Sequence, residues 1–151
     1  MIRSFSNSRC LKKSCVGACM YFSDNSFAPI SGARFINSHE SYPDHDISDA
    51  YYSTCRVLGE DVKVSKITAV VKLPTAPLPC LNIDIFHVPH GGKLSIDSLV
   101  GTMTMSCHGT SPLFCDMADI PTVYMSRGDT ISVRLCPGDS IAKFICSVTL
   151  S

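Results

Sequence analysis

The sequence predicts an all-β protein, an antiparallel β-sandwich of the jelly-roll type behind an irregular N-terminal arm. Three observations predict it. Apolar residues recur at every second position through most of the chain beyond residue 50, and turn-forming breaks punctuate these runs. No segment sustains a helical period over ten residues. A chain of 151 residues is the usual size for one core, so the division expected is an arm over 1–26 and a single sandwich over 27–151.

The arm has no sustained period of 2 or 3.6, and residues 31–50 are polar, with glycine, proline and Asx residues that predict a long surface loop. Tyr51 to Leu58 is a first strand candidate. Asp61 to Leu73 is a longer one in which Val62 and Val64 share one parity and Ile67, Ala69, Val71 and Leu73 the other. A switch of parity inside a strand predicts a β-bulge, because one extra residue turns every later side chain to the opposite face. Leu81, Ile83 and Ile85 then alternate with Asn82 and Asp84, and Met103, Met105 and Cys107 with Thr102, Thr104 and Ser106. Pro121 to Met125 is a short candidate. Thr130 to Cys136 is the clearest, with Ile131, Val133 and Leu135 opposite Thr130, Ser132 and Arg134. The closing strand sets Ala142, Phe144, Cys146, Val148 and Leu150 against Lys143, Ser147 and Thr149, and Ile145 interrupts its polar side. Ile145 and Phe144 are therefore expected in a core or a subunit interface. Breaks fall at Gly59, Pro74 to Pro79, Pro89 to Gly92, Gly109 to Pro112, Arg127 to Asp129 and Pro137 to Asp139.

Composition narrows the function. Charged residues are 17% against 45% hydrophobic, so the chain hides much of itself, and copies of itself are the expected cover. Thirteen basic and thirteen acidic residues leave no field to draw in nucleic acid. No run approaches the ~20 apolar residues that span a bilayer. Cys15 to Phe22 follows a basic segment but is short, contains Gly17 and Tyr21 and lacks a small-residue exit, so no signal peptide is expected. Nine cysteines is an odd number, and most lie in strand segments without the tight spacing of disulfide scaffolds. Mostly reduced thiols in a reducing compartment are the expectation.

The segment VYMSRGDTISVRL, Val123 to Leu135, is an apolar strand, a glycine–aspartate turn and an alternating strand. With VKVSKITAVVKL, LNIDIFHV and the closing SVTLS before and after it, the order resembles trimeric jelly-roll heads. That group includes complement-like and tumour-necrosis-factor-like domains and the C-terminal domain of spore exosporium glycoproteins; viral capsid and fibre-head jelly rolls fit the same pattern. The resemblance implies a homotrimer that caps a stalk or sits on a particle surface, with capsid or surface proteins as further partners and a virion or cytoplasmic assembly site as location.

Several constellations could carry chemistry. Arg127, Gly128 and Asp129 spell the tripeptide that integrins read on exposed turns; the alternative is a tight hairpin whose glycine supplies φ > 0 and whose aspartate bonds the local backbone. His39, Glu40, Asp44, His45, Asp46 and Asp49 crowd one loop, and His39, Asp44 and His45 are its candidate ligands for a divalent cation in a carbohydrate-binding or hydrolytic sandwich. Cys10, Cys15 and Cys19 are three potential ligands or disulfide partners where a zinc site wants four. His87 and His90 flank Pro89 as a turn or as two ligands of a larger set. No nucleophile elbow, phosphate-cradling loop, zinc-protease helix or dinucleotide fingerprint occurs, so neither a cofactor nor catalysis is expected.

Overall fold

The computed structural model describes residues 19–24, 29–30, 32–37, 41–43, 46–72, 78–107, 113–137 and 142–151. Along the chain its elements are β1 (Met20–Asp24), β2 (Pro29–Ile30), β3 (Arg34–Ile36), β4 (Ser41–Pro43), α1 (Ile47–Thr54), β5 (Arg56–Val57), β6 (Val62–Lys72), β7 (Leu78–Val88), β8 (Leu99–Cys107), β9 (Leu113–Met125), β10 (Thr130–Pro137), β11 (Ala142–Lys143) and β12 (Ile145–Leu150). A 3-10 turn at Ile96–Ser98 precedes β8.

Two antiparallel sheets enclose the core. The first has the order β1-β12-β6-β9, the second β4-β3-β10-β7-β8, with β5 also paired to β10. Take β1, β3, β6, β7, β8, β9, β10 and β12 as the principal strands in chain order. The first sheet then holds the first, eighth, third and sixth, and the second holds the second, seventh, fourth and fifth. This interleaving is a jelly roll, as the alternating pattern predicted.

The alternation does what it promised. Ile131, Val133 and Leu135 of β10 are fully buried, as are Cys146, Val148 and Leu150 of β12. Each large aliphatic side chain among them contributes about 1.5–3 kcal/mol by leaving water. Phe22, Ile67, Ile83 and Phe144 pack with them between the sheets. The bulge in β6 lies where the parity changes: the register against β9 shifts between Val64 and Lys66. The end of the chain closes over this irregularity. Ser65 and Lys66 donate their N–H groups to the Ser151 carbonyl at 2.8 and 2.9 Å, and Ser151 N–H donates to Lys66 at 3.1 Å.

Three elements differ from the sequence reading. Met20–Asp24, inside the segment read as an arm, is a strand paired with β12 from Met20↔Leu150 to Asp24↔Cys146. Its inward side is Met20, Phe22 and Asp24, and a buried carboxylate in that series conceals the alternation. Residues 31–50 are not a plain loop. They hold β3, whose Phe35 and Ile36 are both buried on opposite faces of the sheet, as well as β4 and the start of α1. Tyr51 to Leu58 is the end of a helix followed by a two-residue strand. Asp46 caps that helix, its Oδ1 accepting the N–H of Asp49 at 3.1 Å.

Helix α1 lies on the outer face of the second sheet. Tyr51, Phe35, Ala50, Phe86 and Val88 form a second apolar cluster there. Polar pins hold the helix down: Tyr51 Oη lies 2.8 Å from Thr130 Oγ1, and Thr54 Oγ1 lies 2.9 Å from Ser132 Oγ. Burial raises the Tyr51 pKa well above its ordinary value, an effect that the Thr130 hydrogen bond offsets only in part.

Candidate functional site

The Arg127–Asp129 turn is a corner between sheets and not a hairpin within one. Met125 of β9 pairs with Val62 of the first sheet, whereas Thr130 of β10 pairs with Val88 and Val57 of the second. A corner without a ladder of its own must be tied from outside. Gly128 N–H donates to the Leu58 carbonyl and Leu58 N–H to the Asp129 carbonyl, both at 2.9 Å, and Arg127 N–H donates to Asp61 Oδ1 at 2.9 Å. Gly128 has φ +93°, a conformation that favours glycine, and the His90 ring lies 3.5 Å from where a Cβ would stand.

The Asp129 side chain turns inward. It is 8% exposed and accepts N–H groups from Ser126 and His90, each at 2.8 Å, with His87 Nε2 also 2.8 Å away. Burial by itself raises this carboxyl's pKa, but the hydrogen bonds from His87 and from the two backbone amides outweigh it and hold the group below the ordinary carboxylate range. Arg127 is exposed. A receptor reading Arg127, Gly128 and Asp129 together would have to displace these bonds to reach the carboxylate. His87 and His90, read as a turn or a partial ligand set, are here the second wall of the corner. Only the proximity of His90 to a breaker pair in sequence hinted at this, because the contacts span some forty residues.

His39, Glu40, Asp44 and His45 lie outside the described residues, as do Cys10 and Cys15. Asp46 is occupied as the helix cap and Asp49 is exposed in the first turn of α1. Among the described residues no three His, Cys, Asp or Glu side chains converge to hold a metal. The cysteines are mixed. Cys55, Cys80, Cys136 and Cys146 are thiols, whereas Cys19 and Cys115 are disulfide-bonded, so some cysteines depart from the mostly reduced state expected, and Cys19 is removed as a thiolate ligand. Unfolded without reductant, the chain should therefore titrate with fewer than nine thiols; nine would refute the disulfides. In the folded protein buried Cys146 should stay silent, and Cys55, whose pKa burial raises, should react slowly.

The broadest feature is the outer face of the first sheet. Pairing aligns Tyr21, Thr149, Thr68 and Met117 in one row across the four strands, and Ser23, Ser147, Val70 and Cys115 in the next. Neither row contains a charge. Charges stand beyond them, with Lys72 between Ile145 and Leu113 at one end and a Lys66–Asp119 contact of 3.8 Å at the other. Tyr21 is 55% exposed, while Thr68 is only 4% exposed and its Oγ1 has no hydrogen-bond partner among the described residues. No described element crosses this face, in contrast to the second sheet beneath α1. Ile145, half-buried, stands at the charged end of this face, and Phe144 is fully buried in the core.

The fold and this face define a two-sheet jelly-roll module with one flat, uncharged side. No protein-family model matches the sequence, and no curated protein is similar to it. Among solved structures, the globular domain of zebrafish complement 1qA protein is similar with a TM-score of 0.45 and 6% identity, covering 88% of this chain and 94% of that one.

Proposed function

We propose that the protein is a non-enzymatic structural or attachment module that self-associates through the outer face of its first sheet. One observation carries the reading: an uncharged double row from Tyr21 to Cys115 is flanked by charges, with a buried Thr68 hydroxyl at its centre that has no hydrogen-bond partner among the described residues. A centre depleted of charge, with charges at its rim and an exposed tyrosine, suits a subunit interface. Four strands at about 4.8 Å spacing and four rows about 6.8 Å apart make a face of roughly 500 Å². Covered by a neighbour, it buries about 1,000 Å² in total, the threshold for a specific contact. A trimer sets this face against a second side of its neighbour about a three-fold axis, and such a head-to-tail contact closes into a ring and does not run on as a filament. Three subunits is the number the jelly-roll-head resemblance supplies, and a place on a particle or virion surface belongs to the same proposal. Disulfides at Cys19 and Cys115 favour an oxidised surface for it over a reducing cytoplasm. The His87–Asp129 pair serves the corner's backbone, which supports a role without catalysis.

Light scattering tests the reading. The wild type should run at three times the monomer mass at micromolar concentration, and Met117→Asp should run as a folded monomer with an unchanged strand spectrum. Ile145→Asp, at the rim, should weaken assembly less. A wild type that is monomeric at micromolar concentration would sink the proposal.

A further inference from the structure

Arginine keeps its charge in a protein, so a guanidinium drawn partly out of water needs acceptors for its N–H groups. Two arginines here lie over aromatic rings, and they are treated differently. Arg134 lies 4.8 Å over the Phe86 ring, and its Nη2 and Nε donate to Asp84 Oδ2 at 2.9 and 3.1 Å. Arg56, half-buried in β5, lies 4.2 Å over the ring of fully buried Phe22, and its guanidinium has no hydrogen bond or ion pair among the described residues. Burial lowers its pKa, and no carboxylate acts against that effect. Arg56 thus repeats the arrangement of Arg134 with the carboxylate left out.

Arg56 lines a groove of about 420 Å³ where β1 and β6 of the first sheet meet β5 of the second. That volume falls in the roughly 300–1,000 Å³ range of small-molecule sites. Met20, Leu58 and Val62 are its apolar wall, and exposed Glu60 lines it too without bonding Arg56. The wall is fixed before anything binds. Met20 pairs with Leu150 and Arg56 with Ile131, Cys19 is disulfide-bonded, and Leu58 exchanges both of its backbone bonds with Gly128 and Asp129 at 2.9 Å. A ligand therefore orders little protein on entering. With one cation and one anion on its lining, the groove suits a single negative charge; a second would meet Glu60. The chain before Cys19 offers Arg56 no carboxylate, because Arg3, Arg9, Lys12 and Lys13 all precede the first acidic residue, Asp24.

We propose that this groove binds a small organic monocarboxylate, its carboxylate on the Arg56 guanidinium and its apolar body against Met20, Leu58 and Val62. The planar guanidinium takes both carboxylate oxygens at once, and the apolar body leaves water. The ligand gives Arg56 what Asp84 gives Arg134. None of these residues belongs to the uncharged rows of the first sheet, so the site does not rest on the assembly reading.

The test is a proton–nitrogen NMR titration of the full chain with phenylpropionate, read at the Arg56 Nε–H and the Gly59 amide. A saturable shift with a Kd of about 1 mM or tighter is expected for so small a ligand. Phenylpropanol, which has the body without the charge, and acetate, which has the charge without the body, should each bind at least roughly tenfold more weakly, and phenyl phosphate should bind no tighter than the carboxylate. Arg56→Lys keeps the charge and loses the planar pair of donors, so it should weaken binding by roughly tenfold, and Arg56→Met, which keeps the apolar stem over Phe22, should abolish it. No saturable shift, equal binding of the alcohol, tighter binding of the phosphate, or unchanged binding to Arg56→Met overturns the proposal. The comparison of acid with alcohol uses the wild type alone and decides even where a variant fails to fold.

Discussion

Replacing Asp129 with alanine should lower the melting temperature by about 10 °C. The carboxylate accepts from two backbone amides and faces His87, all at 2.8 Å, and it binds the β9–β10 corner to the end of β7. A hydrogen bond to a charged acceptor contributes about 1.5–3 kcal/mol, and since water can reach the backbone donors of exposed Ser126 and His90 once the carboxylate is gone, the total loss is about 3 kcal/mol. At 2–4 °C per kcal/mol for a domain of this size, the shift follows. Asp129→Asn, which keeps one acceptor, should cost less. The pH dependence has a definite sign. The folded carboxyl titrates below the unfolded value, so its stabilisation is complete above about pH 4 and is lost as pH falls through the folded pKa. Thermal unfolding followed down to acid pH should show this loss in the wild type and less of it in Asp129→Asn. An unchanged melting temperature in Asp129→Ala combined with lost attachment to cells would instead restore the receptor reading of Arg127–Asp129.

A larger loss is expected at Asp84→Ala. Asp84 is buried, its Oδ2 accepting from Arg134 and from Cys136 Sγ at 3.4 Å and its Oδ1 from Thr102. Truncation strands a guanidinium whose side chain is only 20% exposed, and breaking a buried pair in this way costs about 3–5 kcal/mol. The joint replacement Asp84→Leu with Arg134→Met should recover most of that loss, because a buried ion pair exchanged for apolar groups of similar volume is often neutral. Urea unfolding of both variants checks the pair. A double variant as unstable as the single one would mean that Arg134 supports the sheet through contacts other than Asp84.

The sandwich was legible where its residues obey a local rule. Ile131, Val133 and Leu135 alternate because one face of β10 is core, and the parity change between Val64 and Ile67 marks a bulge that any two-residue period would expose. α1 was not legible for the opposite reason. Eight residues make about two turns, too few for a helical period to stand out, and the aromatic and hydroxyl residues of Tyr51 to Thr54 suit a strand equally well. The corner was legible as a turn but not as a crossing. Whether β9 and β10 share a sheet depends on their partners β6 and β7, which nothing in Ser126 to Asp129 encodes. The uncharged rows of the first sheet are likewise assembled from four distant segments, and only Ile145 hinted at that face.

The pairing of the first strand with the last bears on how the protein is made. β1 has no ladder until β12 exists, and β6 lacks its β12 neighbour until the same moment, because Ile145–Leu150 fills the place between them. On a ribosome adding roughly 5–20 residues per second, the preceding strands therefore wait with an open, apolar seam until Ile145–Leu150 has been made. The β7–β8 pair is local and can form early, whereas closure of the first sheet waits for β12. During that interval the seam along β6 is the surface a chaperone would need to shield.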